Sequence, residues 1–454
     1  MKKIIIPLLG LLCCALLPAQ TLSTSYFSED FTYSYRMNPA FHPQYSFVGL
    51  PFIGSSSLNY SGSFLTPDVF YKKGGERVTF MNADVQSSDF LGRFKKGINK
   101  FSIEDYTNLL AIGFKAGGMY NIVDLNFRSY SSGNLPYDLM RYLKEGASTD
   151  GSYDLSGLKV HSNSFMEIGI TSSWRPKRKL TIGMRFKGVI GLANSYIDME
   201  RMNISHSGDD WSVSSTGVIA SAYDGYTIKT RPSSFDPTVS LIDLRNTEVG
   251  KTKGLMNGYG VGADLGIFYD DSSWQYSFSL SDVGCIFWFH NLYGHSPSQA
   301  SEYTTRYQPH TNKETKMKNE FADMGDMLGD ALNFLKEDEY QSLGLLPLTA
   351  RFGAKYLYLS DLSFGGLATF RYDQICPFWD LRGNVNYKPV KKVELIGSLG
   401  LGSYGITVGA FANARLGFVN LFAGTDALIG IKGSNFLTPL RRSPNLCFGA
   451  NIIW

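Results

Sequence analysis

Apolar and polar residues alternate one by one through much of the second half of the chain. In FWDLRGNVNYK, Trp379, Leu381, Val385 and Tyr387 fall on one side, and Asp380, Arg382, Asn384, Asn386 and Lys388 on the other. LTARFGAKYLYL sets Leu348, Ala350, Phe352, Ala354, Tyr356 and Tyr358 against Thr349, Arg351, Gly353 and Lys355. WQYSFSLSDV repeats the pattern, and KLTIGMRFKGVI sets Leu180, Ile182, Met184 and Phe186 against Thr181, Arg185 and Lys187. A period of two puts successive side chains on opposite faces of a strand, so these segments predict a sheet with two unlike faces.

The connections sharpen that prediction. Short ones (175–178, 207–210, 270–273, 359–363, 388–392 and the stretch at Arg415-Leu416-Gly417) alternate with long ones at 65–108, 131–163, 221–258 and 284–348. Short turns at one rim and long loops at the other, with aromatics such as Trp174, Tyr269, Trp274, Tyr358, Tyr372, Trp379 and Tyr387 at strand ends, are the marks of a transmembrane β-barrel. Counting back from the C-terminus gives sixteen candidate strands: 445–454, 418–428, 405–414, 393–402, 378–387, 363–372, 349–358, 274–283, 259–269, 211–220, 195–206, 179–190, 164–174, 119–130, 109–117 and 56–64. The fold class expected is all-β, a transmembrane antiparallel barrel of about fourteen to sixteen strands. QYSFVGLPF (44–52) is strand-like too, with the wrong parity for a single-chain bacterial barrel. Residues 20–53 are therefore expected to form an N-terminal segment that plugs the lumen, and 54–454 the barrel. Short helices are expected within the long loops at 87–101, 135–146 and 321–340.

Composition adds the compartment. MKKIIIPLLGLLCCALLPAQ has a basic start at Lys2 and Lys3, an apolar stretch from Ile4 to Leu17, and Pro18-Ala19, which predicts a secretory signal peptide over 1–19. Cys13 and Cys14 lie in that run, but Leu12 stands where a lipid-attachment site wants a small residue. The chain carries 43 Lys+Arg against 40 Asp+Glu, and two of the lysines are in the leader, so nothing suggests a nucleic-acid partner. Past the leader no apolar run reaches the roughly 18 to 20 residues of a helical span, which excludes a helical membrane protein.

Candidate chemistry is sparse. Cys285, Cys376 and Cys447 are odd in number and widely spaced, and define no disulfide framework. His290 and His295 are the one close histidine pair, at a spacing that matches no zinc motif. His161 and Ser164 lack an evident third partner, and there is no nucleophile elbow. No catalytic residue, metal or cofactor is expected.

Two stretches carry resemblances. Gly449-x-x-Ile452-x-Trp454 resembles the terminal signal of outer-membrane proteins read by the barrel-assembly machinery; Cys447 stands where a polar residue is usual. Asn38-Pro39-Ala40-Phe41 is similar to the motif near the start of long-chain fatty-acid transporter barrels and related secretion-shuttle barrels. MNPAFHPQYSF (37–47), with the LPYDLM-type loop helices, resembles an uncharacterised family of Bacteroidetes outer-membrane proteins. The resemblance implies a barrel in outer-membrane lipid and no established activity.

Inward-facing positions carry Arg185, Lys187, Arg351, Lys355, Arg371, Arg382 and Arg415, with Asp380 and Glu394 as the acids on the clearest strands. A basic lumen would favour anionic solutes in a water-filled pore. The preferred expectation is a ladder of ion pairs and hydrogen bonds with the N-terminal segment. Two functions stay open: transport of small or hydrophobic solutes, and a structural or accessory barrel that docks an envelope or secretion partner.

Overall fold

In the computed structural model, fourteen antiparallel strands close into one barrel. The structure describes residues 22–64, 69–73, 76–145, 151–207, 210–233, 237–244, 246–251, 254, 256–296, 301–303, 328, 331–337, 340–403, 405–432, 435–439 and 445–454. The expected signal peptide, 1–19, lies outside them.

The wall begins with β1, which is Phe47–Gly49 and, after an interruption, Ser56–Gly62. It continues as β2 (Ile98–Ala116), β3 (Met119–Pro136), β4 (Lys159–Lys177), β5 (Leu180–Ser207), β6 (Gly258–Asp271) and β7 (Trp274–His290). The second half is β8 (Thr349–Leu357), β9 (Leu362–Arg371), β10 (Phe378–Val390), β11 (Val393–Gly402), β12 (Gly405–Leu416), β13 (Val419–Lys432) and β14 (Asn445–Ile453). Consecutive strands pair, and β14 pairs with both β13 and β1, which leaves no open ladder facing lipid. The β2–β3 connection is a two-residue turn with φ of 61° at Gly117 and 76° at Gly118, a left-handed geometry that glycine adopts without a Cβ clash.

The outer face of the lower wall is apolar. On β10 and β11, Trp379, Leu381, Val385, Leu395, Leu399 and Leu401 are exposed, while Asp380, Arg382, Asn384, Asn386, Glu394 and Ser398 are buried inside. A contiguous exposed apolar belt on a polar-lined closed barrel is a lipid contact. β14 follows the rule: Leu446, Phe448, Ile452 and Trp454 are exposed, and Cys447 and Asn451 are buried.

Higher up, the faces exchange chemistry. On β5, Phe186 points outward at 60% exposed while Arg185 and Lys187 point in. Toward the end of the same strand Ile197, Met199, Met202 and Ile204 are buried, and Glu200, Arg201 and Asn203 face out. Outside a bilayer core, which about 9 to 11 tilted residues span, the surroundings are water and the apolar side turns inward. The expected strands 179–190 and 195–206 are therefore one strand. The expected strand 211–220 lies within Asp210–Ala222, which pairs with the upper half of β5 and with Leu292–His295 and Ser301–Tyr303 as a collar above the wall. That collar takes two from the count of sixteen, and the ends of the expected 207–210 connection, Ser207 and Asp210, pair within it, beyond the long-loop rim.

Two further expectations are corrected. Phe47–Gly49 pairs with β14 on one side and β2 on the other, so the strand-like run at 44–52 and the one at 56–64 are halves of β1. The wall therefore starts at Phe47, ahead of the expected boundary at residue 54. Of the helix expected over 87–101, only α1 (Ser87–Leu91) forms, and Ile98 onward belongs to β2. The second expected helix is α2 (Tyr137–Glu145). Of 321–340, residues 321–327, 329–330 and 338–339 are outside the described set, and Leu335–Lys336 is a strand.

Candidate functional site

Inside the wall lies a strap, residues 22–46, that crosses the lower lumen. Leu22, Tyr26, Phe31, Tyr33, Tyr35 and Met37 are buried there against Phe47, Ile122, Phe411 and Phe422. Phe31 meets Phe411 and Phe422 edge-on at centroid distances of 5.3 and 5.0 Å.

Polar anchors tie the strap to widely separated wall strands. The backbone N–H groups of Ser23 and Thr24 donate to the Asp426 carboxylate at 2.8 and 2.6 Å. Arg382 donates to the main-chain oxygen of Asp426 (3.3 Å) and pairs with Asp380 (3.1 Å). Asn384 and Asn386 donate to the carbonyls of Thr24 and Phe27, each at 3.0 Å. The Ser28 hydroxyl donates to Glu394. Near the short-turn rim Glu29 pairs with Lys355 (2.8 Å) and Lys388 (2.6 Å), and Asp30 with Lys388 (3.7 Å) and Arg415 (3.6 Å). Burial opposes the charge on Glu29, yet the two lysines hold its carboxyl down to about 2. The Tyr33 hydroxyl donates to Asn108 (3.1 Å) on β2 and Asn451 (2.8 Å) on β14, directly behind the interruption in β1.

The Asn-Pro-Ala-Phe motif has a physical role in the strap. Asn38 accepts from the Ala40 N–H (2.9 Å), and its amide donates to the carbonyls of Ile267 (3.3 Å) and Phe278 (3.2 Å) on β6 and β7. Pro39 and Ala40 run so close to the wall that a Cβ on Gly183 or Gly266 would strike their backbone. Phe41 then stacks edge-on with Tyr26 (5.1 Å) and Phe268 (5.4 Å). The strap thus forms one wall of a cavity of about 280 Å³ at the short-turn rim.

Above the strap is a layer of buried charge. Arg185 pairs with Asp124 (2.8 Å) and Glu167 (2.5 Å). Lys187 pairs with Asp264 and Asp282, both at 2.6 Å, and Arg128 bridges Glu167 (2.9 Å) and Asp282 (2.8 Å). Arg371 pairs with Glu104, and Arg351 is buried beside them. The strap reaches this layer through Tyr35, which donates to Asp124 at 2.5 Å. Asp282 has φ 63°, uncommon for a residue other than glycine, at an irregularity in the β6–β7 ladder. A cavity of about 40 Å³ among these side chains is large enough for ordered water and little else.

Of the nine lumen candidates, Arg185, Lys187, Arg351, Lys355, Asp380, Arg382 and Glu394 are buried, and Arg371 and Arg415 pair with Glu104 and with Asp30 at the rim, so their surroundings are not basic. Asp124, Glu167, Asp264, Asp282, Glu104 and Asp426 on the wall, and Glu29 and Asp30 on the strap, offset the cations. Alternation on β3, β4, β6 and β7 could have placed the wall acids; their strands are simply less regular than β8–β11. Ser164 hydrogen-bonds Ser129 (3.0 Å), and His161 joins Asn163, Asn194 and His290 in a network around Asn194. The three cysteines are free thiols. Among the described residues no group of three or more His, Cys, Asp or Glu could hold a metal.

An antiparallel barrel with a lipid-facing belt and a strapped, charge-paired lumen is an outer-membrane-type β-barrel protein. The chain belongs to a family of unknown function, DUF5723, whose model matches residues 39–426. No curated protein matches it. Similar solved structures include a Pseudomonas aeruginosa FadL homologue, at 10% identity and TM-score 0.42 over 96% of this chain and 99% of that one. The P. putida toluene transporter TodX shares 8% identity at TM-score 0.41 over 93% of each chain. The translocator domain of the autotransporter NalP from Neisseria meningitidis shares 6% at TM-score 0.32, over 91% of this chain and 90% of that one. The barrel itself is established by its own closed ladder.

Proposed function

We propose that this protein is an outer-membrane transport barrel held shut by its own N-terminal strap, and that a small solute passes only when the strap leaves its seat. The observation that carries this reading is the chemistry of the strap's contacts. Besides its aromatic cluster, it is tied to strands around the wall by hydrogen bonds and ion pairs that water can replace, each worth about 0.5–1.5 kcal/mol net. A permanent filling has no need of these polar ties, since burying ion pairs is a poor route to stability. The paired charges of the lumen leave no strong preference for anions. In this reading the leader at 1–19 directs export, the barrel-assembly machinery reads β14, and lipid covers the outer belt.

Conductance in planar bilayers tests it. The native chain and Trp288→Ala, which thins the upper apolar layer, should be silent or flicker rarely, and Trp288→Ala combined with Asn38→Ala and Glu29→Gln should open steady ion channels. A triply substituted barrel that runs as folded on an unheated gel yet stays silent would sink the transport reading. That outcome would favour an accessory barrel docking an envelope partner. The feature favouring this second reading is the apolar layer that closes the lumen again above the charges, with Trp288, Phe165, Ile286 and Leu346.

A further inference from the structure

The cavity at the short-turn rim combines features that no structural role requires together. One side is the strap, the other is β5, β6, β7 and β8. Its apolar lining is a run of rings in edge-to-face order: Phe27 on Tyr26 (5.1 Å), Tyr26 on Phe41 (5.1 Å) and Phe41 on Phe268 (5.4 Å). Such a run offers a further ring the same geometry. Two charges at its mouth are not spent on each other: Arg175, at the end of β4, and Asp270, at the end of β6, make no ion pair within 4.0 Å among the described residues, whereas Lys355 and Glu29 pair at 2.8 Å. Among the described residues the Asp270 carboxylate accepts a single, long hydrogen bond, from Gln275 (3.4 Å). The other polar groups facing the space are the hydroxyls and amides of serine, threonine and glutamine and the His42 ring, none of them a carboxylate or an ammonium. At about 280 Å³ it lies just below the range of drug-sized sites, roughly 300–1,000 Å³.

We propose that this cavity binds a small aromatic zwitterion of the amino-acid type, its ring on Phe41 and Phe268, its carboxylate on Arg175 and its ammonium on Asp270. Guanidinium and carboxylate match in planar, bidentate geometry, and a ligand of both signs suits a mouth of both signs. Because the two sides of the site belong to the strap and to the wall, the ligand binds only while the strap is seated. It therefore stabilises the closed barrel by its own binding free energy. That consequence rests on the gate reading; the binding itself does not.

Equilibrium dialysis of the full-length protein in detergent, with L-tryptophan as probe and indole and tryptamine as controls, tests the assignment. Saturable L-tryptophan binding is expected, weakened about tenfold by Arg175→Gln and by Asp270→Asn, with both controls weaker than L-tryptophan. Both substitutions are at the barrel mouth and leave the wall intact, which the unheated gel checks. The proposal is overturned by absence of saturable L-tryptophan binding, by binding indifferent to both substitutions, or by indole binding as well as L-tryptophan, the mark of unspecific partition. Dialysis does not depend on conductance, so a failed ligand leaves the gate standing, and a silent barrel leaves the ligand standing.

Discussion

The lumen is closed twice, and the two closures mix polar and apolar contact differently. Below, a segment remote in sequence from most of its partners is held by an aromatic cluster and by many individual polar anchors, from Asp426 at one end to the Asn38 amide at the other. Above the charge layer, the strand extensions and loops pack a continuous apolar cluster that includes Phe80, Phe90, Tyr142, Met199, Ile204 and Phe334. The first resembles a latch, whose contacts break one at a time at modest cost. The second resembles a domain core, in which neighbours fail together. If one closure moves in function, it is the lower.

The sharpest way to break the comparison is to strike the layer both closures rest on. Arg185→Met leaves Asp124 and Glu167 buried with one partner fewer, and Asp124 is also where Tyr35 of the strap is anchored. A loss of about 3–5 kcal/mol is expected, as for a buried pair broken from one side. Urea unfolding in micelles measures it, and a change within experimental scatter would show that this layer holds nothing together. Phe90→Ala should cost about as much in the upper closure, roughly 3–5 kcal/mol for a buried phenylalanine, but locally. Phe90 stacks on Phe80 at 4.2 Å and faces Phe94 at 4.9 Å, all above the wall. Protease added to whole cells should then cut the loops of the variant faster, while the barrel's unheated-gel mobility stays native. Loss of that mobility would mean the two closures are one cooperative unit.

Much of this was legible in the sequence, for a definite reason. Where lipid lies outside, period-two alternation has one sign, and FWDLRGNVNYK betrays both strand and orientation. Above the bilayer the sign reverses. In β2 the inward residues are Phe101, Glu104 and Tyr106 while Ser102, Asp105 and Thr107 face out, so the run no longer looks like a membrane strand. That is why the pattern over 65–108 predicts a loop with a helix at 87–101, and why β5 presents itself in sequence as two strands. The split β1 hid for another reason: Pro51 and Gly54 mark a turn at Leu50–Ser55, but the left-handed φ of 62° falls on Phe52, and nothing in that turn says that the chain re-enters the same strand. The site's cations were visible by parity, and so was the inward face of the acids on β3, β4, β6 and β7; which acid meets which cation needed the fold, since Asp124 and Arg185 lie on strands separated by β4.

A smaller effect sharpens the idea of a latch. Asn38→Ala removes the hydrogen bonds its side chain makes to Tyr26, Ala40 and two wall carbonyls, which should cost about 1–3 kcal/mol and loosen the strap without opening the wall. Cys447 supplies a native reporter, since it is buried in the same cluster as Leu22, Tyr33 and Phe422. Maleimide labelling of Cys447 at mildly alkaline pH, followed by peptide mass spectrometry, should speed up in the variant, with Cys376 as an internal control. Equal acceleration at Cys376, which is packed near Phe101 on the long-loop side, would mean general unfolding instead.

The smallest effect is a pH dependence at the rim. Glu29 is held down to about 2 in the seated strap by Lys355 and Lys388, against about 4.3 for a free glutamate. Its folded value is depressed, so its contribution is fully present above the free value and disappears as pH falls through the seated one. The glutamate side chain is half exposed at 50%, which screens the pair and keeps the effect modest. Asp30 faces the same Lys388 and Arg415, and Glu394 receives the Ser28 hydroxyl, so the glutamate must be isolated by substitution. Hydrogen exchange of peptides covering 26–36, referenced to wall peptides from β10, does this. In the native chain the strap-to-wall ratio should rise between pH 5 and about 2.5. In Glu29→Gln it should already be raised at pH 7 and change less on acidification. A native ratio that stays flat through this window would show that the rim pairs do not hold the strap, and that its upper anchors at Asp426 and Asp124 alone keep the lower closure in place.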